Sequence, residues 1–322
     1  MLFNGPGRSY GQRWAVTYLR ARLGHRARRH DVANALKELA PQGVAGRVPG
    51  KRKERLQNYI TPGVNHHWSC DGHDKLARYG IQLYAAIDAY SRKVIWFYVG
   101  NANRSQYSVG HQYLQAVKAF GRAPKFLRTD HGCETVILAA IHLTFYLESL
   151  TAEEIDPSAV NDIQALSECY IYGKSTANTR VEGTWRQMRD KVTGKWLRLF
   201  GLIERSELYL DSLLADRVAL LFVFMPLIRY EITEYVEVKN AYLIRRQRNR
   251  EYHVPGVPND LFEQGDDVSF PVDIDGAAFT EWVGKLSQFG KLFTAISNMA
   301  TNTRYTTIPI LLKIPRISVG IT

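Results

Sequence analysis

The apolar and polar positions between residues 68 and 99 form short segments rich in aromatic and β-branched residues. This pattern predicts three strands, over Trp68–Leu76, Ile81–Asp88 and Val94–Val99. Turns are predicted at Arg78-Tyr79-Gly80 and Tyr90-Ser91-Arg92, where glycine and polar residues interrupt the apolar runs. Because both connections are short, we expect an antiparallel meander.

After residue 100 the apolar spacing becomes that of helices. It predicts helices over Ser105–Phe120 and Thr135–Leu147, with a strand over Lys125–Asp130 between them. The next segments are predicted to be an irregular acidic stretch, a fifth strand and a strongly amphipathic helix, over Leu150–Glu168, Tyr170–Tyr172 and Asn178–Trp196. Three antiparallel strands followed by alternating strands and helices indicate an α/β domain with a mixed sheet.

The N-terminal region has a different pattern. Gly11–Leu39 predicts two short helices, joined by a basic turn that starts at Gly24, with Asp31 at the N-cap of the second helix. Such a pair is compatible with a helix-turn-helix, although many helical hairpins share the pattern. Pro41–Tyr59 contains Pro and Gly breaks and the run Lys51-Arg52-Lys53, which predict an exposed linker.

Positive charge is concentrated at the start of the chain. The formal net charge is +11, and residues 1–60 hold 13 Lys or Arg against three Asp or Glu. Such a segment attracts phosphate backbones, and a solvated basic tail is the alternative. The candidate DNA-binding residues are Arg26, Arg28, Arg29, Lys51, Arg52 and Lys53, together with Arg186, Arg189 and Lys195 of the amphipathic helix, for which helix surface pairing is the alternative.

The three cysteines, Cys70, Cys133 and Cys169, argue against a disulfide framework and favour a reducing compartment. The stretch judged most apolar, Val218–Ile228, is too short to cross a bilayer and predicts a buried helix. We therefore expect a soluble intracellular protein with no membrane partner.

Three carboxylates stand where strand-borne chemistry is usually found. Asp71 lies inside the first strand, Asp130 closes the fourth, and Glu182 stands in the first turns of the amphipathic helix. Each has an ordinary alternative: a bulge, a turn before Gly132, and a surface ion pair with Arg186. Their joint placement on one sheet-and-helix framework favours a shared site.

The motifs around these carboxylates resemble the catalytic core of retroviral-type integrases and cut-and-paste transposases. The segments that carry the resemblance are His67-Trp68-Ser69-Cys70-Asp71-Gly72, Ile87-Asp88-Ala89-Tyr90-Ser91-Arg92, Arg128-Thr129-Asp130-His131-Gly132 and Asn178-Thr179-Arg180-Val181-Glu182-Gly183-Thr184-Trp185-Arg186. Asp71-Gly72-His73-Asp74-Lys75-Leu76 followed by Tyr79-Gly80-Ile81 is similar to the branch found in eukaryotic mobile elements. The similarity covers roughly residues 10–262.

The resemblance implies a ribonuclease H-like fold, a mixed five-stranded sheet flanked by helices, and a helix-turn-helix-like region before it. It implies that Asp71, Asp130 and Glu182 hold two Mg²⁺ or Mn²⁺ ions for DNA cleavage and strand transfer. It also implies DNA as partner, a homo-oligomer on DNA ends, and the nucleus if the source is eukaryotic. The expected organisation is a DNA-binding region, a basic linker, the core with a helical extension, and a tail of unknown role, at residues 1–48, 49–64, 65–262 and 263–322.

Several alternatives stay open at this stage. The gap from Asp130 to Glu182 exceeds the retroviral spacing, so Glu134, Glu148 and Glu168 are also candidates for the third carboxylate. The group His66, His67, Cys70 and His73 suggests zinc, but a strand points Cys70 and His73 to opposite faces. Cys133 beside His131 is expected to be a buried cysteine next to a turn rather than a nucleophile.

Two other functions fit the same resemblance. One is a domesticated, catalytically silent DNA-binding protein, and the other is a ribonuclease H-type nuclease. Strand transfer separates the three functions, because a nuclease cleaves without joining and a silent protein only binds.

Overall fold

A computed structural model describes residues 11–39, 41, 61–130, 132–152, 162–173, 178–246 and 254–300. The basic run Lys51-Arg52-Lys53 and His131 lie outside these ranges. The same is true of residues 301–322, within the tail for which no role was predicted.

A mixed sheet of five strands forms the centre of the fold, in the order β3-β2-β1-β5-β6. The first three strands are the predicted antiparallel meander, while β5 and β6 run parallel to β1. A small second sheet pairs β4 with β7. The strands are β1 (His67–His73), β2 (Gln82–Asp88), β3 (Val94–Gly100), β4 (Arg122–Ala123), β5 (Phe126–Thr129), β6 (Tyr170–Tyr172) and β7 (Phe270–Pro271).

Alternation along the strands divides the core into two layers. On one face of the sheet, Leu83, Ala85 and Ile87 of β2 join an apolar cluster with the helices that follow residue 178. On the other face, Tyr84 and Ala86 join a second cluster with the helices between residues 106 and 169. Because both faces are covered, β2 and β3 are almost wholly buried.

Among the described residues, five helices cover the first face: α1 (Gln12–Leu23), α2 (Arg29–Leu39), α6 (Thr179–Met188), α7 (Gly194–Arg205) and α8 (Leu214–Asn240). A π-helical turn over Arg189–Thr193 links α6 to α7. Both predicted N-terminal helices are confirmed, and Gly24 ends α1 in the left-handed conformation at φ 66°. The expected N-cap is wrong, because α2 begins at Arg29 and places Asp31 in its first turn.

The two N-terminal helices pack on the core. Trp14 stacks on Tyr235 of α8 with ring centroids 5.4 Å apart. Arg22 pairs with Glu234, at 3.4 Å, and with Glu237. Thus α1 docks on the first face of the fold through both apolar and charged contacts.

The second face is covered by α3 (Gln106–Phe120), α4 (Val136–Ala152), α5 (Asp162–Cys169), α9 (Pro258–Gln264) and α10 (Ala277–Ala300). The expectation of an irregular segment before residue 169 is wrong over α5. Ala165 is fully buried there and Leu166 packs on the second cluster, so tertiary contacts stabilise this short helix. Phe279 of α10 stacks on Phe145 at 5.9 Å, which attaches the unrecognised C-terminal region to the core.

Two expectations about apolar segments need correction. By length and composition, Cys133–Leu150 could cross a membrane. In the fold 28% of this segment is buried, including Leu138, Ile141 and Phe145, which pack in the second cluster. The stretch Val218–Ile228 is helical as predicted, but it is only partly buried, since Phe222 remains 63% exposed. Its apolar composition alone did not reveal which side faces solvent.

Candidate functional site

Asp71 lies on the face of β1 that carries α6. Along this strand, Trp68 and Cys70 point into the second cluster, so Asp71 and His73 point to the opposite side. The Nε1–H of Trp185, on α6, donates a hydrogen bond to Asp71 Oδ2 at 2.9 Å. A carboxylate in the middle of a central strand is therefore held by a donor from the covering helix.

Asp130 follows the end of β5, which pairs in parallel with β1. The paired residues include Ser69 with Arg128. Asp71 and Asp130 each lie two residues further along, just past the paired stretch, and the charge of Asp130 adds to the rise in the Asp71 pKa that burial causes. Their positions follow from strand pairing, which the sequence motifs alone do not specify.

Glu182 reaches the same region from α6. It stands three residues before Trp185, and residues with this spacing are neighbours on a helix surface. The predicted amphipathic pattern is confirmed, because Val181, Trp185 and Met188 are buried while Glu182 is exposed. A hydrogen bond from Asn178 Nδ2 to Cys70 O, 2.9 Å long, ties the start of α6 to β1.

The electrostatics link all three carboxylates. The pKa of Asp71 is raised to about 7, mainly by burial; the Trp185 hydrogen bond lowers it, and the charges of Asp130 and Glu182 make smaller upward contributions. Asp71 therefore senses two other negative groups. Within the described ranges, however, no three His, Cys, Asp or Glu side chains are gathered closely enough to hold a metal ion as they stand.

Trp185 itself is fixed by aromatic contacts. His73 stacks on it at a centroid distance of 4.9 Å and an interplanar angle of 16°. Phe97 meets it edge-on at 5.6 Å. Trp185 is buried on the apolar face of α6, and an apolar periodicity carries no information about an indole N–H, so the sequence pattern does not reveal this donor.

The other acidic candidates lie in different surroundings. The half-buried Glu134 has a raised pKa, caused by burial first and then by the charges of Asp130 and Asp74. Glu168 accepts a hydrogen bond from Tyr146 at 3.0 Å, in the layer of α4 and α5. The pKa of Glu148 is raised by burial and by Asp273. Among these alternatives, Glu134 is the one that interacts with a member of the proposed triad.

The basic candidates divide into two groups. Arg26, Arg28 and Arg29 are exposed at the turn between α1 and α2, and Arg186 and Arg189 are exposed on and after α6. Lys195, in contrast, forms an ion pair with Glu231 of α8. Arg189 also contributes to lowering the pKa of His73 to about 4, a shift caused mainly by burial. Arg189 therefore lies near His73, whereas Lys195 is engaged in packing α7 on α8.

Two cysteine interpretations can be compared with the structure. Cys70 and His73 do face opposite sides of the sheet, which agrees with the argument against zinc. Cys133 is exposed, so the expectation of a buried cysteine is wrong. It lies in a short 3₁₀ turn before α4, which leaves its side chain outside the core.

The mixed five-stranded sheet with helices on both faces is the ribonuclease H-like architecture, and the carboxylates lie at its two central parallel strands. A family model described as "Integrase core domain" matches residues 58–265, more than half of the chain. The chain therefore belongs to the integrase core domain family. Membership implies DNA cleavage and strand transfer of the integrase or transposase type. A search of curated protein sequences finds no match.

Proposed function

We propose that this protein cuts DNA and joins the resulting 3′ end to a target strand, using divalent cations held by Asp71, Asp130 and Glu182. The observation that carries the proposal is a buried carboxylate, Asp71, whose pKa is raised by burial first and then by the charges of Asp130 and Glu182. Such a cluster costs free energy unless a cation neutralises it.

The donor set fits a hard cation. Three carboxylates offer oxygen ligands, which suit Mg²⁺ or Mn²⁺ better than zinc. Although the three groups do not form a closed ligand set, the exposed Glu182 side chain has rotamer freedom to complete one. When bound, two such ions activate an attacking oxygen and stabilise the leaving oxygen of an in-line phosphoryl displacement.

The protein's own residues supply orientation. The Trp185 N–H donates to Asp71 Oδ2 and so fixes the orientation of this carboxylate. The exposed Arg186 and Arg189 would hold backbone phosphates beside the carboxylates. The attacking group is a water for cleavage and the DNA 3′-hydroxyl for joining, so no covalent protein–DNA intermediate is required.

A strand-transfer assay tests the proposal. Labelled duplexes with randomised ends and a supercoiled plasmid target are incubated with the full chain in Mg²⁺ or Mn²⁺. We expect labelled plasmid for the wild type and none for Asp71→Asn, Asp130→Asn or Glu182→Gln. Glu281→Gln is the control, because this exposed carboxylate pairs with Lys285 on α10, across the sheet from Asp71.

Each other outcome supports a different function. Cleavage without joining would favour a ribonuclease H-type nuclease. A gel shift with neither reaction, in both metals, would favour a catalytically silent DNA-binding protein. A wild-type rate that survives all three carboxylate substitutions would rule out the proposed site.

We also propose that the exposed turn between α1 and α2 contacts DNA. Replacing Arg26, Arg28 and Arg29 by Ala should weaken binding to all sequences and reduce its salt dependence, since these side chains would neutralise phosphates. In a eukaryotic cell this function implies a nuclear protein, which imaging of the tagged chain would test. An unchanged gel shift at several salt concentrations would remove the turn from the DNA-binding surface.

A further inference from the structure

Two side chains on the face of the sheet that α6 covers carry buried polar atoms without a partner. Ser69 of β1 and Arg128 of β5 are paired in register. Their chain neighbours Trp68, Cys70 and Leu127 point into the second cluster, so Ser69 and Arg128 point toward α6. Ser69 is fully buried, and within the described chain neither Ser69 Oγ nor Arg128 Nε has a hydrogen-bond partner. Polar atoms left in this state cost free energy.

The N-terminus of α6 lies next to Ser69. Asn178 precedes this ten-residue helix, but its side chain does not cap it and instead donates from Nδ2 to Cys70 O at 2.9 Å. Cys70 directly follows Ser69 in β1. The first backbone N–H groups of a helix have no partner inside it and carry partial positive charge, which attracts anions. The first turn of α6 therefore adds donors beside the Ser69 hydroxyl.

Positive side chains gather at the same place. The pKa of His67 is lowered to about 3, first by burial and then by the charge of His66. The guanidinium groups of Arg128 and Arg180 lower the same pKa. The pKa of Arg92 is lowered to about 10, by burial first and then by the charge of Arg180. Arg180, in the first turn of α6, is therefore close to both His67 and Arg92.

The carboxylate that acts on Arg92 is already engaged. Asp88 raises the pKa of Arg92. The Asp88 carboxylate accepts hydrogen bonds from the Ser91 N–H and Oγ–H, each at 2.7 Å, and from the Asn65 N–H at 2.8 Å. Buried cations are stabilised when an anion lies beside them, and Asp88 has little capacity left for this role.

This basic cluster is separate from the proposed metal site. Asp130 follows Arg128 by two residues, which is about 7 Å along an extended chain. Glu182 follows Arg180 by two residues, a spacing that puts the two side chains on different sides of a helix. Carboxylates and arginines therefore form adjacent sites of opposite charge.

Gly173 leaves the Arg128 side chain accessible. Its N–H donates to Thr129 O at 3.2 Å, which places it beside the end of β5. A Cβ at residue 173 would lie 3.3 Å from Arg128 Nη2 and would meet no described residue other than Arg128 within 4 Å. Gly173, Arg128 and Arg180 are each partly exposed, whereas Ser69 lies at full depth. A small or terminal group can reach this depth more easily than a backbone phosphate that carries a sugar on each side.

We propose that Arg128, Arg180, Ser69 and the first turn of α6 bind a phosphate dianion. The two guanidinium groups supply charge-assisted hydrogen bonds, and the Ser69 hydroxyl donates from the sheet below them. The dianion is either free phosphate or the 5′-terminal phosphate of a DNA strand. The second source rests on the proposed function, whereas the first does not.

Calorimetric titration of the full chain with sodium phosphate tests the site. Sodium chloride keeps the ionic strength constant, and EDTA removes divalent cations through which phosphate could bind at the carboxylates. We expect saturable binding to the wild type and a loss of at least about 10-fold in affinity for Arg128→Gln, the scale of one hydrogen bond to a charged group. Arg122→Gln is the matched control, because this exposed arginine pairs with Asp267 at the small second sheet.

Ser69→Ala separates binding from folding. The change removes a hydroxyl that has no partner in the described chain, so urea unfolding without phosphate should show no loss of stability. Phosphate affinity should nevertheless fall by about 5-fold, since one donor to the anion is lost. This variant keeps the test valid if Arg128→Gln does not fold.

Oligonucleotides that differ only at the 5′ end identify the source of the phosphate. In EDTA, a 5′-phosphorylated strand that binds at least about 10-fold tighter than its 5′-hydroxyl form, with the preference lost in Arg128→Gln, would assign the site to a DNA end. Equal binding of the two strands, with saturable binding of sodium phosphate, would assign it to the free anion. A wild type that does not bind phosphate would overturn the proposal, and so would equal phosphate affinities in the wild type, Arg128→Gln and Ser69→Ala. Loss of strand transfer alone would leave the phosphate site intact.

Discussion

Trp185 on α6 and Trp196 on α7 each donate an indole hydrogen bond to a carboxylate, but the charges that surround the two carboxylates have opposite signs. Trp185 donates to Asp71 at 2.9 Å, and Trp196 donates to Glu231 at 2.8 Å. Beside Glu231 stands Lys195, whose ammonium group pairs with the same carboxylate. Beside Asp71 stand two further carboxylates, which raise its pKa.

The difference separates a carboxylate with a structural role, Glu231, from one for which we propose a functional role, Asp71. The Glu231 group is balanced by a cation and joins α7 to α8, so it needs nothing from outside the chain. The Asp71 group accumulates negative charge at the centre of the sheet, which a folded protein keeps only when another requirement outweighs the cost. Similar hydrogen bonding therefore does not imply a similar role.

The largest expected effect separates the two carboxylates by activity. Asp71→Asn should reduce metal-dependent cleavage by about 1,000-fold or more, because a metal ligand contributes several kcal/mol to the transition state. Glu231→Gln should retain cleavage but lower the free energy of unfolding by about 1–3 kcal/mol, since Lys195 loses its partner. Cleavage rates and urea unfolding of both variants measure the contrast. Equal losses of cleavage activity in the two variants would contradict the proposed difference between Asp71 and Glu231.

The next effect is the pH dependence of stability. The pKa of Asp71 is about 7 in the folded protein and near the ordinary aspartate value of 3.8 when the chain is unfolded. The folded state thus keeps the Asp71 proton up to a higher pH than the unfolded state does. The free energy of unfolding therefore decreases as pH rises from about 4 through about 7. The loss is at most on the order of 4 kcal/mol.

Urea unfolding in EDTA at pH 5 and pH 8 measures this loss. Asp71→Asn should reduce the difference between the two pH values, and Mg²⁺ should restore part of the wild-type stability at pH 8. Glu231→Gln is the comparison variant and should leave the pH dependence in place. If Asp71→Asn behaves like the wild type at both pH values, the raised pKa is not located at Asp71.

An intermediate effect compares the two tryptophans directly. Trp185→Phe keeps the aromatic packing but removes the donor to Asp71, and should weaken Mn²⁺ binding by about 10–100-fold, as loss of an outer-shell partner does. Trp196→Phe makes the same chemical change at Glu231 and should leave Mn²⁺ affinity unchanged. Titration calorimetry provides the measurement. Equal affinities in the two variants would leave Trp185 a packing residue only.

The smallest effect concerns the basic residues near each tryptophan. Lys195→Ala should cost about 1 kcal/mol of stability and leave DNA binding unaffected, because its ammonium group is engaged by Glu231. Arg189→Ala should leave stability unchanged and lower the salt slope of DNA binding by about 1. Gel shifts across a salt series distinguish them. A reduced slope for Lys195→Ala would return that lysine to the DNA-binding surface.

The strands and most helices could be predicted because their periodicity reflects burial on one or two faces. The meander, β5, β6 and the amphipathic α6 all agree with that pattern. The prediction failed at α5, whose eight residues are stabilised by packing on α4 and β6. It also failed for the apolar run in α8, since composition indicates that a helix is apolar but not that one side faces outward.

The candidate site was predictable in part. Asp71, Asp130 and Glu182 stood out because their motifs resemble those of a known family, and family membership is now shown. Their assignment as metal ligands stays a prediction. The tryptophan donor at Asp71 and the engagement of Lys195 by Glu231 could not be read from spacing, because both depend on residues more than 30 positions apart.

The sequence by itself determined most of the element types, the polar face of α6 and the motifs that mark the family, since these depend on local patterns of burial and residue chemistry. Only the tertiary structure decided which carboxylates interact electrostatically, which carboxylate forms an ion pair with a lysine, and which side of α8 is exposed to solvent. The physical reason is that charge balance and solvent exposure depend on neighbours brought together by strand register and helix packing, over distances along the chain that no local pattern encodes.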